Sequence, residues 1–130
     1  MDIKVRYLSK LGHTKIIAEA IALGANTKAV SILEEEKLEG HTDVLFLGGA
    51  PYANIMDKKL RIYANNLTKD LVSKVVLFTT SNFSKRTVNS LKKMLKEKGI
   101  TVVDEYFYAS AFRISARVDA AKEFGKKYSL

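Results

Sequence analysis

Three short segments of the sequence hold the side chains best suited to binding a ligand. The first, residues 9–14, places two hydroxyls and a glycine just before a predicted helix. Amides at a helix start can point at an anion, the helix dipole favours negative charge there, and Gly12 permits close approach. The segment therefore suits a phosphate group, although a capped strand–helix turn would have the same composition.

The second and third segments suit a flat ring. Residues 48–54 begin with Gly48 and Gly49 straight after an apolar run, so a flat ligand could lie against the backbone and Tyr52 could stack on it. Residues 79–83 offer hydroxyls, an amide and Phe83. Two plain alternatives stay open, namely a Gly-Pro turn in the second segment and a polar loop whose Phe83 folds back into the core in the third.

The elements that must position these segments alternate along the chain. Apolar runs predict strands over residues 3–8, 27–32, 44–47, 75–78 and 100–108. Helical periodicity predicts a helix after residue 14, two helices capped by Asp57 and Ser84, and a last helix from about residue 116. Gly24 and Gly99 are expected to end the first and third of these helices.

The sequence also predicts the environment of individual side chains in the first helix, the first strand and residues 34–36. The first helix is predicted to bury Ile16 together with Ile17 on one face. In the first strand, Lys4 and Arg6 alternate with apolar residues, which is unusual for a strand buried on both faces. The three glutamates at residues 34–36 are expected in a solvated connection.

The alternation of strands and helices predicts an α/β fold in which residues 1–130 form a single domain. Right-handed crossovers would make it a doubly wound five-stranded parallel sheet with helices on both faces. In such sheets the functional cleft lies at the carboxyl ends of the strands. The three segments all follow strands, so we expect them to meet at that cleft.

Composition excludes several classes of protein. The chain has no cysteine, which rules out a disulfide scaffold, a thiolate metal site and a cysteine nucleophile. Only His13 and His41 could supply imidazole ligands, so no metal site is predicted. No apolar run reaches the ~20 residues that span a bilayer, and the start of the sequence lacks a signal-peptide pattern. We therefore expect a cytoplasmic protein with no membrane span.

Positive charge is concentrated in the second part of the chain. Residues 1–57 hold 6 basic and 8 acidic residues, a net charge of −2, whereas residues 58–130 hold 16 and 6, a net charge of +10. Lys58, Lys59, Lys85 and Arg86 fall in the first turns of predicted helices, where cations oppose the helix dipole. This charge pattern favours anionic partners, namely nucleotides, nucleic acid, an anionic membrane or acidic proteins such as an acidic redox partner, although a lysine-rich solvated surface would also explain it.

Several segments together resemble the flavodoxin family over nearly the whole chain. Residues 7–22 (YLSKLGHTKIIAEAIA) resemble the family's first strand, phosphate loop and first helix, and residues 47–53 (LGGAPYA) are similar to its glycine-rich second loop. Residues 74–80 (KVVLFTT) look like the fourth strand running into the third loop. Residues 102–108 and 120–124 resemble the last strand and helix. Leu11 and His13 stand where the family usually has threonine and asparagine.

The resemblance implies a flavodoxin-like fold with strand order 2-1-3-4-5 that binds FMN noncovalently. Carried over by position, the phosphate would lie in the loop formed by Ser9, Lys10, Leu11, Gly12, His13 and Thr14, with Leu11 contributing only its amide. One side of the flavin ring would be lined by Ala50, Pro51, Tyr52 and Ala53. The other side would be lined by Thr80, Ser81, Asn82 and Phe83.

The function implied is electron transfer between redox partner proteins, and no catalytic residue is predicted. A small flavin-dependent reductase or oxidase acting on a quinone or porphyrin-like substrate stays open, as does a flavin-less protein-binding module. Other classes are disfavoured. The third predicted strand ends without the carboxylate that a receiver domain needs, the first loop lacks the three-glycine dinucleotide fingerprint, and no nucleic-acid-binding motif is present, so no nucleic-acid partner is expected.

Overall fold

A computed structural model describes residues 1–51, 56–81 and 84–130, and these form one parallel sheet with helices on both faces. The strand order is β2-β1-β3-β4-β5, as the resemblance implied. The strands are β1 (Ile3–Tyr7), β2 (Ala29–Ser31), β3 (Thr42–Gly49), β4 (Val72–Ser81) and β5 (Phe107–Ser110). The helices are α1 (His13–Gly24), α2 (Lys58–Asn65), α3 (Arg86–Glu97) and α4 (Val118–Lys127), with a 3-10 turn at Ser115–Arg117.

The sheet has long strands at its centre and short strands at its edges. The central strands β3 and β4 contain 8 and 10 residues, whereas the edge strands β2 and β5 contain 3 and 4. All four pairings are parallel. No helix among the described residues is long and apolar enough to cross a bilayer.

Successive residues of the central strands feed two separate cores, because side chains alternate between the faces of a sheet. Leu45 and Leu47 point into a core shared with α2 and α3, whereas Phe46 points into a core shared with α1 and α4. Each of these three side chains is fully buried. The continuous apolar run in β3 therefore reflects burial on both sides, as the sequence predicted.

Helices α1 and α4 approach so closely that glycine is required in both. A Cβ added to Gly24 would lie 1.9 Å from the carbonyl oxygen of Lys122, and one added to Gly125 would lie 2.1 Å from that of Ile21. Both distances are far inside van der Waals contact. Gly24 does end α1 as predicted, but its packing role was not evident from the sequence. The left-handed residue that follows the helix is Asn26, at φ 58°.

Arg6, one of the two charged residues of β1, is the centre of a largely buried network. Arg6 is 7% exposed, and its Nε donates to Glu35 at 2.8 Å while Nη1 donates to the carbonyl of Val5. The Tyr63 hydroxyl of α2 donates to the same Glu35 oxygen at 2.7 Å. Burial would raise the pKa of Glu35, but hydrogen bonds from Arg6 and Tyr63 outweigh it and lower that pKa. Glu35 was predicted in a solvated connection, so that prediction is wrong for this residue.

Two other predictions are corrected by the structure. Ile16 is 45% exposed rather than buried, because the inward face of α1 is formed by residues such as Thr14, Ile17, Ala18 and Ile21. The predicted fifth strand is interrupted: Val102 forms a single bridge to Val75, and pairing resumes only at β5. Between them, the charged residues at 104 and 105 are exposed, which explains the break.

The helix caps match the predictions more closely. Asp57 is the N-cap of α2, and its carboxylate accepts from the amide of Lys59 at 2.7 Å. Gly99 follows α3 at φ 79°, a conformation that favours glycine. Helix α3 begins one residue later than expected, with Lys85 at the N-cap, although the Ser84 hydroxyl still accepts from the amide of Arg86 at 3.3 Å.

Candidate functional site

A cavity of about 350 Å³ lies at the carboxyl edge of the sheet, where β1, β3, β4 and β5 end. Its lining brings together residues from all three segments predicted to bind a ligand. The lining residues are Ser9, Leu11, His13, Thr14, Ala50, Pro51, Thr80, Ser81, Ser84 and Ala111. The connection after β1 runs to one side of the sheet and that after β3 to the other, so the cavity lies at the point where the strand order reverses.

The first loop turns sharply into α1. Gly12 precedes the helix at φ 93°, which is strained for other residues, and a Cβ added there would meet nothing within 4 Å. The Ser9 hydroxyl accepts from the Gly12 amide at 3.1 Å, which fixes the turn. No side chain in the part of the chain that the structure describes caps the start of α1, and the first turn of this helix contains no acidic residue. Because first-turn amides lack intrahelical acceptors, this end of the cavity suits an anion.

A pair of buried hydroxyls joins the first and third segments. The Thr14 and Thr80 oxygens lie 2.7 Å apart, and both residues are 1% exposed while lining the cavity. One hydroxyl proton is used within the pair, so the other can be donated to a third group. The pair therefore presents a buried donor at the cavity wall.

Lys10, like Gly12, does not line the cavity. Its Nζ lies 2.8 Å from the carboxylate of Asp57, the N-cap of α2. Burial would raise the pKa of Asp57, but hydrogen bonds from Lys10 and the Lys59 amide lower it. Lys10 thus ties the first loop to the start of α2.

The second segment contributes Ala50 and Pro51 to the lining, whereas its glycines serve the core. A Cβ on Gly48 would lie 2.3 Å from the Phe78 ring, and one on Gly49 would lie 2.6 Å from Leu60. Both glycines therefore have a packing role that the sequence did not reveal, and neither lines the cavity. That a flat ligand lies against their backbone stays a prediction. Tyr52, Ala53 and the rest of residues 52–55 lie outside the described residues.

The third segment is a strand end rather than a loop over residues 79–81. β4 continues through Ser81, and the buried Thr79 hydroxyl donates to the Gly49 carbonyl at 2.7 Å. Thr80 and Ser81 line the cavity, and Ser81 is held by hydrogen bonds to the Ser84 carbonyl and from the Tyr108 hydroxyl. Asn82 and Phe83 lie outside the described residues.

Two residues of the lining, Ser84 and Ala111, were not predicted from the sequence. Ser84 was interpreted only as a helix cap. Ala111 follows β5, and the prediction that the fifth strand ends at residue 108 placed the start of this connection elsewhere. Beside it, Arg117 donates to the Tyr108 carbonyl at 3.1 Å and lies over the Phe107 ring. A strand prediction that included residues 109 and 110 would have placed Ala111 at the end of the fifth strand, beside the cavity.

The sheet order and the position of the cavity define a flavodoxin-like fold. Solved structures with this architecture include the oxidised Flavodoxin 1 of Bacillus cereus, with 18% identity, coverage of 98% of this chain and 97% of that one, and a TM-score of 0.79. An archaeal flavodoxin is 20% identical to this chain, and the match covers 99% of this chain and 96% of that one, with a TM-score of 0.74. The two-electron reduced flavodoxin of Megasphaera elsdenii has 19% identity, coverage of 98% of both chains, and a TM-score of 0.69. The sequence matches no protein-family model and no curated protein.

Proposed function

We infer that the cavity binds FMN noncovalently and that the protein transfers electrons between redox partners. The observation that carries this proposal is the convergence of the three predicted segments on one cavity at the strand-order reversal. The likeness to flavodoxins over nearly the whole chain supports it.

The residues that line the cavity fit FMN in three respects. A volume of about 350 Å³ lies within the range of ~300–1,000 Å³ expected for cofactor sites. The uncapped start of α1 offers backbone amides for a phosphate, and the Thr14–Thr80 pair offers a buried donor. Ala50, Pro51 and Ala111 provide apolar walls for a ring system.

When bound, FMN supplies the ability to accept and release electrons, and the protein sets its access and environment. In this proposal Ser9, Gly12, His13 and Thr14 hold the phosphate, with the amide of Leu11. Pro51 and Thr80 lie beside the ring. Tyr52 and Phe83, which the resemblance also assigns to the ring, lie outside the described residues. Lys10 holds the first loop in position through Asp57 rather than binding the phosphate itself.

Titration with FMN tests the proposal directly. Binding should quench flavin fluorescence with a dissociation constant of tens of micromolar or tighter, worth about 6 kcal/mol or more. Riboflavin, which lacks the phosphate, should bind more weakly. No quenching in that range would refute FMN binding and leave the flavin-less module, whereas turnover of NAD(P)H with a quinone would identify a reductase instead of a carrier.

A further inference from the structure

Two exposed apolar side chains flank the mouth of the cavity. Leu11 and Phe112 are each 77% exposed, more than any other large apolar side chain of the described residues away from the chain ends. Leu11 lines the cavity, and Phe112 directly follows Ala111, which also lines it. Large apolar side chains at a common rim are typical anchors at the centre of protein interfaces.

Unpaired cations adjoin the same mouth. A shallow cleft of about 440 Å³ at the start of α3 is lined by Ser84, Lys85, Arg86, Asn89, Ser90 and Lys93, and it shares Ser84 with the cavity. Arg113 is exposed beside Phe112. Lys85, Arg86, Lys93 and Arg113 take part in none of the ion pairs found within residues 1–51, 56–81 and 84–130.

The distribution of charge along α3 differs between its two ends. Away from the cavity, Lys92 and Lys96 lie within 4 Å of Asp104. At the cavity end, Lys85 and Arg86 stand at the helix start, and the first turn contains no acidic residue. Cations in this position oppose the helix dipole, so helix stability does not explain them. Helix α2 also begins with two cations, Lys58 and Lys59, but there the carboxylate of the N-cap Asp57 offsets them.

We propose that this rim surface, formed by Leu11, Lys85, Arg86, Lys93, Phe112 and Arg113, docks an acidic redox protein over the cavity mouth. The proposal rests on the proposed function and adds the chemistry of the partner. Apolar anchors beside cations favour a folded protein over a nucleic acid, because the anchors need a complementary apolar surface. Docking here would place the partner directly against the bound flavin.

The test uses the full chain loaded with FMN, with loading checked by absorbance in every sample. A plant-type [2Fe–2S] ferredoxin, chosen for its acidic surface, is the probe, and its affinity is measured by calorimetry at several salt concentrations. The variant Lys85→Glu/Arg86→Glu is compared with Lys28→Glu/Lys69→Glu, which makes the same charge change. Lys28 and Lys69 are exposed and precede β2 and β4, so they lie at the opposite edge of the sheet.

We expect the rim variant to weaken ferredoxin binding by about tenfold or more at low salt, with a difference that shrinks as salt rises. The control variant should change the affinity by less than about threefold. Phe112→Ala should weaken binding at every salt concentration, whereas Leu23→Ala, which shortens another exposed side chain, should not. Equal effects of the two charge variants would overturn the proposal.

The other partner classes and the proposed function are separated by further readouts. If the rim variant leaves ferredoxin binding intact but abolishes binding to anionic phosphatidylserine vesicles or to duplex DNA, the surface belongs to that partner and the proposal is wrong. Absorbance reports FMN loading independently of docking, and calorimetry needs no electron transfer. Failure to load FMN would therefore refute the proposed function, and the same variants would then be compared by calorimetry on the unloaded chain.

Discussion

At the scale of single residues, the Thr14–Thr80 pair is the most informative feature of the cavity. Two buried hydroxyls share one hydrogen bond and retain one proton for another acceptor. Sequence analysis assigned Thr14 to the phosphate and Thr80 to the ring, and their contact shows that these two parts of the proposed site adjoin.

Thr14→Val should weaken FMN binding more than riboflavin binding. The substitution removes a donor to a charged acceptor, worth about 1.5–3 kcal/mol, while keeping the shape of the side chain. Fluorescence titrations with both flavins measure the ratio of affinities, which should fall about tenfold. An unchanged ratio would show that Thr14 only supports Thr80.

Thr87→Val provides a matched control and a prediction of its own. Thr87 is fully buried in the first turn of α3, and its hydroxyl has no hydrogen-bond partner among residues 1–51, 56–81 and 84–130. Replacing it with valine should raise the free energy of unfolding by about 1 kcal/mol, because an unsatisfied polar group is removed from the interior. Urea denaturation measures this change, and the FMN-to-riboflavin ratio should stay the same. A loss of stability would show that the hydroxyl is satisfied in solution.

At the scale of elements, the close contact between α1 and α4 depends on two glycines. Gly125→Ala should lower the free energy of unfolding by about 2–3 kcal/mol, since the new methyl group would lie 2.1 Å from the Ile21 carbonyl oxygen. Helix propensity alone would predict a gain of about 1 kcal/mol from the same substitution. Urea denaturation shows whether the free energy of unfolding falls or rises, and a more stable variant would contradict the close packing.

The network of Arg6, Glu35 and Tyr63 joins β1, the connection after β2, and α2, and it should make stability depend on pH. Because the pKa of Glu35 is lowered in the folded state, its contribution is complete above the ordinary value of 4.5 and is lost as pH falls through the lower folded-state pKa. Glu35→Gln should lower the free energy of unfolding at neutral pH by about 2 kcal/mol. It should also reduce the further decrease in that free energy as the pH is lowered. The neighbouring Glu34→Gln, at an exposed position, should do neither. Identical acid profiles for the two variants would contradict this role.

The elements that sequence patterns predicted well are those whose burial is uniform. Side chains of residues 44–47 and 75–78 alternate between the two cores, so every one of them is buried and apolar. A continuous apolar run of this kind is readily predicted to be a strand. The fifth strand was mispredicted because its apolar residues surround the exposed Asp104 and Glu105, and pattern alone does not show where pairing stops. Glu35 was misplaced for a related reason, since its partners Arg6 and Tyr63 are 29 and 28 positions away.

The candidate site was predictable in outline and not in detail. Parallel topology brings strand ends together whatever their sequence, which is why residues from three distant segments share one cavity. What topology cannot show is which residues serve the core instead. Gly48 and Gly49 were assigned to a ligand because a glycine's neighbours in space, here Phe78 and Leu60, are not visible in the sequence.

At the scale of the whole molecule, ligand binding should stabilise the fold, because the cavity is built from the ends of four strands. FMN at one hundred times its dissociation constant should raise the free energy of unfolding by about 2.7 kcal/mol. For a chain of 130 residues this corresponds to a rise of about 10 °C in Tm. Thermal denaturation with FMN, and with riboflavin at the same concentration, measures the effect. Equal shifts for the two flavins would show that the phosphate contributes nothing.

The contrast between long central strands and short edge strands has a consequence for how molecules meet one another. An exposed strand edge is a template on which another chain can add, and the hazard grows with its length. Here the edges offer only three and four residues of regular strand, whereas the strands of 8 and 10 residues each have neighbours on both sides. Folded copies therefore present little template for edge-to-edge polymerisation, and concentrated solutions should resist fibril formation until the sheet itself opens.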